Sequence, residues 1–115
     1  MLRGEIRVVD LEPVRGSEAN KRRPAVLVSN DRANLTAARL GRGTVTIVPV
    51  TSNTDRVFPF QVLIPSGESG LSRDSKAQAE QVRSVDIARI GPAVGNTPPD
   101  ILQQIDEALR LHLDL

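Results

Sequence analysis

The strongest constraint on this chain is a series of short β-type runs, cut apart by glycine and proline and closed by one helical stripe. Gly4 to Leu11 alternates, with Ile6 and Val8 on one face and Arg7 opposite, and breaks at Glu12-Pro13. Val14 to Arg23 is polar, contains Gly16 and has no apolar period, so it reads as a long loop. It leads into Pro24-Ala25-Val26-Leu27-Val28-Ser29, an apolar run expected to form a buried second strand. Asn30 or Asp31 caps a short helix expected to run through Leu40, with Gly41 and Gly43 ending it. Thr44 to Val50 supplies a third, β-branched strand. Phe60 to Ile64 supplies a fourth, whose start Pro59 confines to an edge or a first position, and Ser75 to Val85 a fifth.

The C-terminal end follows a different period. Thr97-Pro98-Pro99-Asp100 combines an N-cap residue, proline in the first turn and an acid at the capping-box position. Ile101, Leu102, Ile105, Ala108, Leu109 and Leu113 then recur at helical spacing, with Gln103, Asp106, Glu107 and Arg110 mostly outside the stripe. One face of this helix is expected to pack on the sheet. No repeat or linker interrupts residues 1–115, so a single domain is expected: mainly β with helices (α+β), a compact, partly closed β-barrel ending in a helix.

A chain of 115 residues buries roughly two-thirds of the surface its unfolded form exposes. With 39% apolar and 25% charged residues it has the composition of a soluble globular protein, not a disordered one. No apolar run approaches the ~20 residues that span a bilayer, and Met1 to Leu11 mixes charges into its apolar positions where a signal peptide has an apolar core. A cytoplasmic location is expected. There is no cysteine and one histidine, His112, which excludes thiol nucleophiles, zinc-thiolate sites and histidine metal clusters. The net charge of +1 hides an asymmetry, because residues 1–60 carry ten Lys/Arg against six Asp/Glu. That basic half, with the triplet Lys21-Arg22-Arg23, permits a polyanionic partner without requiring one.

The chain contains no phosphate-cradling Walker loop, nucleophile elbow, HExxH or dinucleotide fingerprint. Any chemistry must use other groups. Arg23 stands immediately before Pro24, which holds its backbone extended at the mouth of a buried strand. Its permanently charged planar fork matches phosphate geometry, although a solvated or salt-bridged arginine reads the same from spacing alone. Thr51 closes the third strand and opens Thr51-Ser52-Asn53-Thr54, a cluster that suits phosphate or sugar and equally suits a strand-end turn. Ser17-Glu18-Ala19-Asn20 is a polar surface loop or a lip beside Arg23. Phe58 and Phe60 are the only aromatic residues: Phe60 reads as core, and Phe58 is the more open ring for stacking a base. His112, at the fringe of the helical stripe, reads as structural.

The blocks Arg3-Gly4-Glu5-Ile6, Asp10-Leu11-x-Pro13, Gly16-Ser17-Glu18 and Arg23-Pro24-Ala25-Val26-Leu27-Val28-Ser29-Asn30-Asp31 resemble the N-terminal signature of the MazF/PemK toxin family. Val48-Pro49-Val50-Thr51 resembles the family's third strand with its active-site hydroxyl, Asp74-Ser75 through Glu80-Gln81-Val82-Arg83 its later strand, and Ile105-Asp106-Glu107-Ala108-Leu109 its terminal helix. The blocks keep the family order over nearly the whole chain.

The resemblance implies an SH3-like, partly closed barrel and an mRNA interferase: a sequence-specific, ribosome-independent endoribonuclease that cuts single-stranded RNA without metal or cofactor. It implies a homodimer neutralised by a MazE-type antitoxin that blocks the RNA groove, in a complex that binds operator DNA. Arg23 and Thr51 carry over as the catalytic pair. Ser17, Glu18, Asn20 and Lys21 fall in the family's first groove-bordering loop, Ser52, Asn53, Phe58 and Pro59 in the second, and Gln81 in the later strand, all as expected RNA-binding positions. The chain departs from the family at Arg7, where an aromatic residue is frequent, and it lacks Tyr and Trp altogether. Stacking then shifts toward Phe58 and planar arginines. Two other readings are a CcdB-like toxin that inhibits gyrase through the terminal helix of the same barrel, and a non-catalytic RNA-binding barrel.

Overall fold

The computed structural model describes residues 1–13, 15–19 and 21–115. Seven antiparallel strands form one bent sheet: β1 (Glu5–Asp10), β2 (Arg22–Leu27), β3 (Thr44–Thr51), β4 (Gln61–Ile64), β5 (Ser75–Gln78), β6 (Arg83–Asp86) and β7 (Ile90–Asn96). Along the sheet they run β4-β5-β3-β2-β1-β7, with β6 also on β3. The end strands β4 and β7 do not pair, so the barrel stays open. Among the described residues three α-helices complete the fold: α1 (Asp31–Leu40), the one-turn α2 (Ser66–Ser69) and α3 (Pro99–Leu113). None of them is long and apolar enough to cross a membrane.

Both faces of β2 and β3 are covered, which is why these strands read as continuous apolar runs. Even-numbered residues, Val26 on β2 with Val48 and Val50 on β3, join Ile6, Ile64 and the helical Ile105 and Ala108 in one core. Odd-numbered residues, Ala25 and Leu27 with Val45 and Ile47, join Val9, Leu11 and Ala37 of α1 in the other. The strict alternation expected on β1 fails at Val8: Ile6 and Val9 are the fully buried pair. Ile6 and Val9 are three residues apart on a strand that stays in register with β2, so they project to opposite faces and enter opposite cores, while the β1/β7 register slips between Arg7 and Val9.

Other expectations are corrected by tertiary contacts. The fifth strand breaks into β5 and β6 around a 3₁₀ turn at Ala79–Gln81, and both halves lie along β3. Strand β7 carries Gly91, Pro92 and Gly95 and has no alternating apolar signal. Helix α3 begins at Pro99 with Pro98 as N-cap and no capping side chain, because Thr97 is buried with its backbone N–H donating to the Gly4 carbonyl at 2.8 Å. Leu113 lies past the packed stripe and is exposed, whereas Asp106 is drawn partly inside by an ion pair with Arg3. Asn30 does cap α1, accepting from the Ala33 N–H at 2.9 Å. The fully buried Asn34 ties that helix to the Ser29 carbonyl at 2.8 Å.

Candidate active site

Strand register assembles the first wall. Ala25 faces Pro49 and Leu27 faces Ile47 across β2 and β3. Arg23 and Thr51 lie two residues beyond the last paired residues, Ala25 and Pro49, at the same end of the β2/β3 ladder. Arg23 and Thr51, both half-buried, do line one cleft of about 350 Å³. Arg23 is held from its other side as well, opposite Val9 of β1. Thr51 Oγ1 accepts the Asn53 N–H at 3.3 Å. A hydroxyl that accepts in this way keeps its own hydrogen for an oxygen in the cleft.

The segment that follows α2 and the start of β5 supply the rest of the lining: Ser72, Arg73 and the buried Ser75, the first residue of β5. The geometry of this segment depends on close packing against β7. Gly70, at φ +86°, lies against the Val94 carbonyl, and a Cβ on Gly95 would sit 1.8 Å from the Ser69 carbonyl oxygen. Ser69 Oγ donates to the Pro65 carbonyl at 2.8 Å and accepts from the Leu71 N–H at 3.2 Å. Asp74 turns away onto the Ser66 N–H at 2.9 Å, so this segment carries its arginine into the cleft without its acid.

Two guanidinium groups, four hydroxyls and no carboxylate therefore line the opening. Such a surface favours an anion that takes several hydrogen bonds at once. Among the described residues no group of three or more His, Cys, Asp and Glu side chains comes together.

The other expected positions are distributed around the cleft in different roles. Ser52 lines it. Asn53 caps its own turn by accepting from the Asp55 N–H at 3.2 Å. Phe58 is exposed and stacks on Phe60 with centroids 5.4 Å apart, and the Arg56 guanidinium lies 5.5 Å from the Phe58 ring centre. Pro59 is exposed beside them. In the β1–β2 loop Ser17, Glu18 and Lys21 are exposed. Glu18 accepts from the Arg15 N–H at 2.8 Å, and Lys21, at φ +66°, donates its N–H to Glu12 at 2.9 Å. Asn20 lies outside the described residues.

Gln81 grips the β1–β2 loop from the 3₁₀ turn, donating to the Ser17 carbonyl and accepting from the Ala19 N–H, both at 3.1 Å. Its neighbour Glu80 accepts from Gln61 at 2.7 Å, and Gln61 in turn accepts from the Phe58 N–H. One turn thus braces both loops. His112 is exposed on the last turn of α3.

Arg7, the departure from the family pattern, bridges β1 to the Gly91 carbonyl of β7 at 2.9 Å and pairs with Glu5 at 2.9 Å. Burial pushes the Glu5 carboxyl up, but the Leu2 N–H and Arg7 outweigh it and hold the group below its ordinary 4.5. The residues missed from sequence are Ser72, Arg73 and Ser75. Only a glycine- and serine-rich turn marked them there, and that composition is shared by any surface loop.

A family model described as PemK-like, MazF-like toxin of type II toxin-antitoxin system matches residues 2–113. The chain belongs to this family. It is 61% identical over 115 residues to the Endoribonuclease MazF9 of Mycobacterium tuberculosis, covering 100% of the chain and 98% of that relative. To the Endoribonuclease EndoA of Bacillus subtilis it is 30% identical over 114 residues, covering 98% and 94%. Among solved structures, MazF from Deinococcus radiodurans shares the fold at a TM-score of 0.82 and 24% identity, covering 100% of this chain and 97% of that one. An endoribonuclease in complex with its cognate antitoxin, from a mycobacterial species, aligns at a TM-score of 0.78 and 24% identity over 100% and 96% of the two chains. The expected toxin fold and family are thereby borne out.

Proposed function

We propose that this PemK/MazF-family toxin is an endoribonuclease whose catalytic pair is Arg23 and Thr51. The observation that carries the assignment of residues is their meeting, from two strands, in a cleft lined by guanidinium and hydroxyl groups without a carboxylate.

The substrate is single-stranded RNA, mRNA above all, and it supplies its own nucleophile. The 2′-hydroxyl attacks the adjacent phosphorus, the O2′–P bond forms and the P–O5′ bond breaks. This leaves a 2′,3′-cyclic phosphate and a 5′-hydroxyl. The 2′-hydroxyl gives its proton to solvent and O5′ takes one from solvent. The protein's task is alignment and stabilisation of the charge building on the phosphorane oxygens. Arg23 faces that charge from a strand paired on β1, and a guanidinium with a pKa above ~12 acts there as a fixed charge, a poor proton donor near neutral pH. Thr51 donates its remaining hydrogen to a phosphoryl oxygen or orients the 2′-hydroxyl.

The loops select the RNA sequence: Ser17, Glu18, Asn20 and Lys21 on one side, Ser52, Asn53, Phe58 and Pro59 on the other, with Gln81 holding the first loop in place. The toxin works as a cytoplasmic homodimer, inhibited by a MazE-type antitoxin laid in the RNA groove, and the toxin-antitoxin complex binds operator DNA. Neither metal nor cofactor enters the reaction.

Incubating the protein in EDTA with one long, weakly structured RNA and mapping the new ends tests activity, chemistry and specificity together. Cleavage giving cyclic-phosphate and 5′-hydroxyl ends is expected, lost in Arg23→Ala and Thr51→Ala while circular dichroism stays native. Undiminished cleavage by either variant removes that residue from the mechanism. Intact RNA with gyrase inhibition dependent on α3 would point to the CcdB-like activity. Salt-sensitive binding without new ends would point to a binding module.

A further inference from the structure

We infer that Arg73 is a second phosphate-holding residue of the cleft, gripping the RNA backbone one phosphate away from the scissile group. The inference rests on the RNA-cleaving reading above and concerns a residue which that reading leaves unused. Arg73 lines the same cleft as Arg23 and Thr51, from the segment that leads into β5. Its sequence neighbour Asp74 is committed to the Ser66 N–H at 2.9 Å. The Arg73 carbonyl accepts from the buried Ser75 Oγ at 3.0 Å, which fixes the backbone from which the side chain extends.

Two cations on different segments of one cleft match a chain that carries one negative charge per nucleotide, because a single phosphate would be fully served by one guanidinium and the adjoining hydroxyls. The two arginines differ in how firmly they are held. Arg23 is half-buried within a strand paired on β1, whereas Arg73 is exposed on a connecting segment and no ion pair among the described residues engages it. Stabilising a transition state requires a group already fixed at the point where charge develops. The Arg73 side chain, exposed on a fixed backbone, lacks that fixation, so it binds the substrate and the transition state alike, and its effect belongs to affinity, not to the chemical step.

The test uses the full-length protein and a short RNA that spans a cleavage site mapped on a long transcript. The same oligonucleotide with a 2′-deoxy nucleotide at the cleaved position serves as an uncleavable ligand. Arg73→Ala is expected to weaken binding of the 2′-deoxy oligonucleotide by about tenfold and to lower the slope of log affinity against log salt by about 0.7, the single-strand value for one phosphate contact. Its rate at saturating RNA should stay within about threefold of the parent protein. Arg73→Lys keeps the charge and should recover most of the binding and the whole salt slope.

An unchanged affinity and salt slope in Arg73→Ala overturns the proposal, as does a large fall in saturating rate with binding intact. Circular dichroism of the variant checks that the exposed substitution leaves the fold in place. Failure of the parent protein to cut any RNA sinks the endoribonuclease reading itself. A parent that cuts, beside an Arg73→Ala variant with parental binding, sinks only the role of Arg73.

Discussion

The two walls of the cleft are built on different principles. On one side Arg23 and Thr51 sit at the ends of β2 and β3, where ladder hydrogen bonds and two hydrophobic cores determine which residue faces which. Ser72 and Arg73 instead hang on a connection that follows a one-turn helix and is seated where Gly70 meets Gly95 of β7, before Ser75 opens β5. A wall of paired strands holds a charge still, as an unstable intermediate requires, while a wall made of a connection gives reach and adaptability. The proposed division of labour between Arg23 and Arg73 rests on that contrast.

The largest expected effect tests the rigid wall. Arg23→Ala should lower the saturating cleavage rate by roughly 10²–10³-fold, the range for removing one preorganised charge-stabilising donor, with little change in melting temperature. A drop confined to RNA affinity would erase the distinction between the walls. Next comes the seat of the connecting segment: Gly95→Ala drives a Cβ into the Ser69 carbonyl. This overpacking should cost about 1–3 kcal/mol in denaturant unfolding and weaken RNA binding by moving Arg73. Parental stability and binding would show that the connection is not positioned by β7.

Gln81→Ala is expected to act more gently, removing two hydrogen bonds worth about 1 kcal/mol each from the β1–β2 loop. Faster amide exchange at Ala19 and a raised KM at constant kcat are the readouts, and a parental exchange rate would rule out the bracing role. The smallest effect lies far from the cleft, at Glu5. Its carboxyl is held below 4.5 in the folded state, so its stabilisation is complete above the unfolded value and fades as pH falls through the lower folded one. Glu5→Gln should therefore be less stable than the parent near pH 7, by under about 1 kcal/mol, and the gap should close as pH falls through the lowered folded-state value. A gap independent of pH would show that packing, not charge, is responsible.

Much of this was legible in the order of residues. Pro24 to Leu27 and Thr44 to Val50 announce strands through local composition, Asn30 and Gly41 delimit α1, and the stripe through Ile105 and Ala108 finds the face of α3. These are signals in which neighbours in sequence are also neighbours in space. The failures share a cause. Strand β7 exists because Arg7 and Glu5 of β1 receive it, and neither its glycines nor Pro92 carries a propensity for a strand. Gln81 looks like a residue for RNA, yet both ends of its amide are taken by a loop more than sixty residues earlier.

What the sequence by itself determined is therefore most of the strands, the helices α1 and α3, the family, and Arg23 and Thr51 as the strand-borne candidates for the site. Spacing along a strand and the family motif are both local information. What only the tertiary structure decided is the rest of the cleft lining. Arg73 becomes a site residue because Gly70 and Gly95 let backbone approach backbone, and because Asp74 is turned away onto Ser66. No periodicity records such a contact, since it depends on the absence of side chains at two positions twenty-five residues apart.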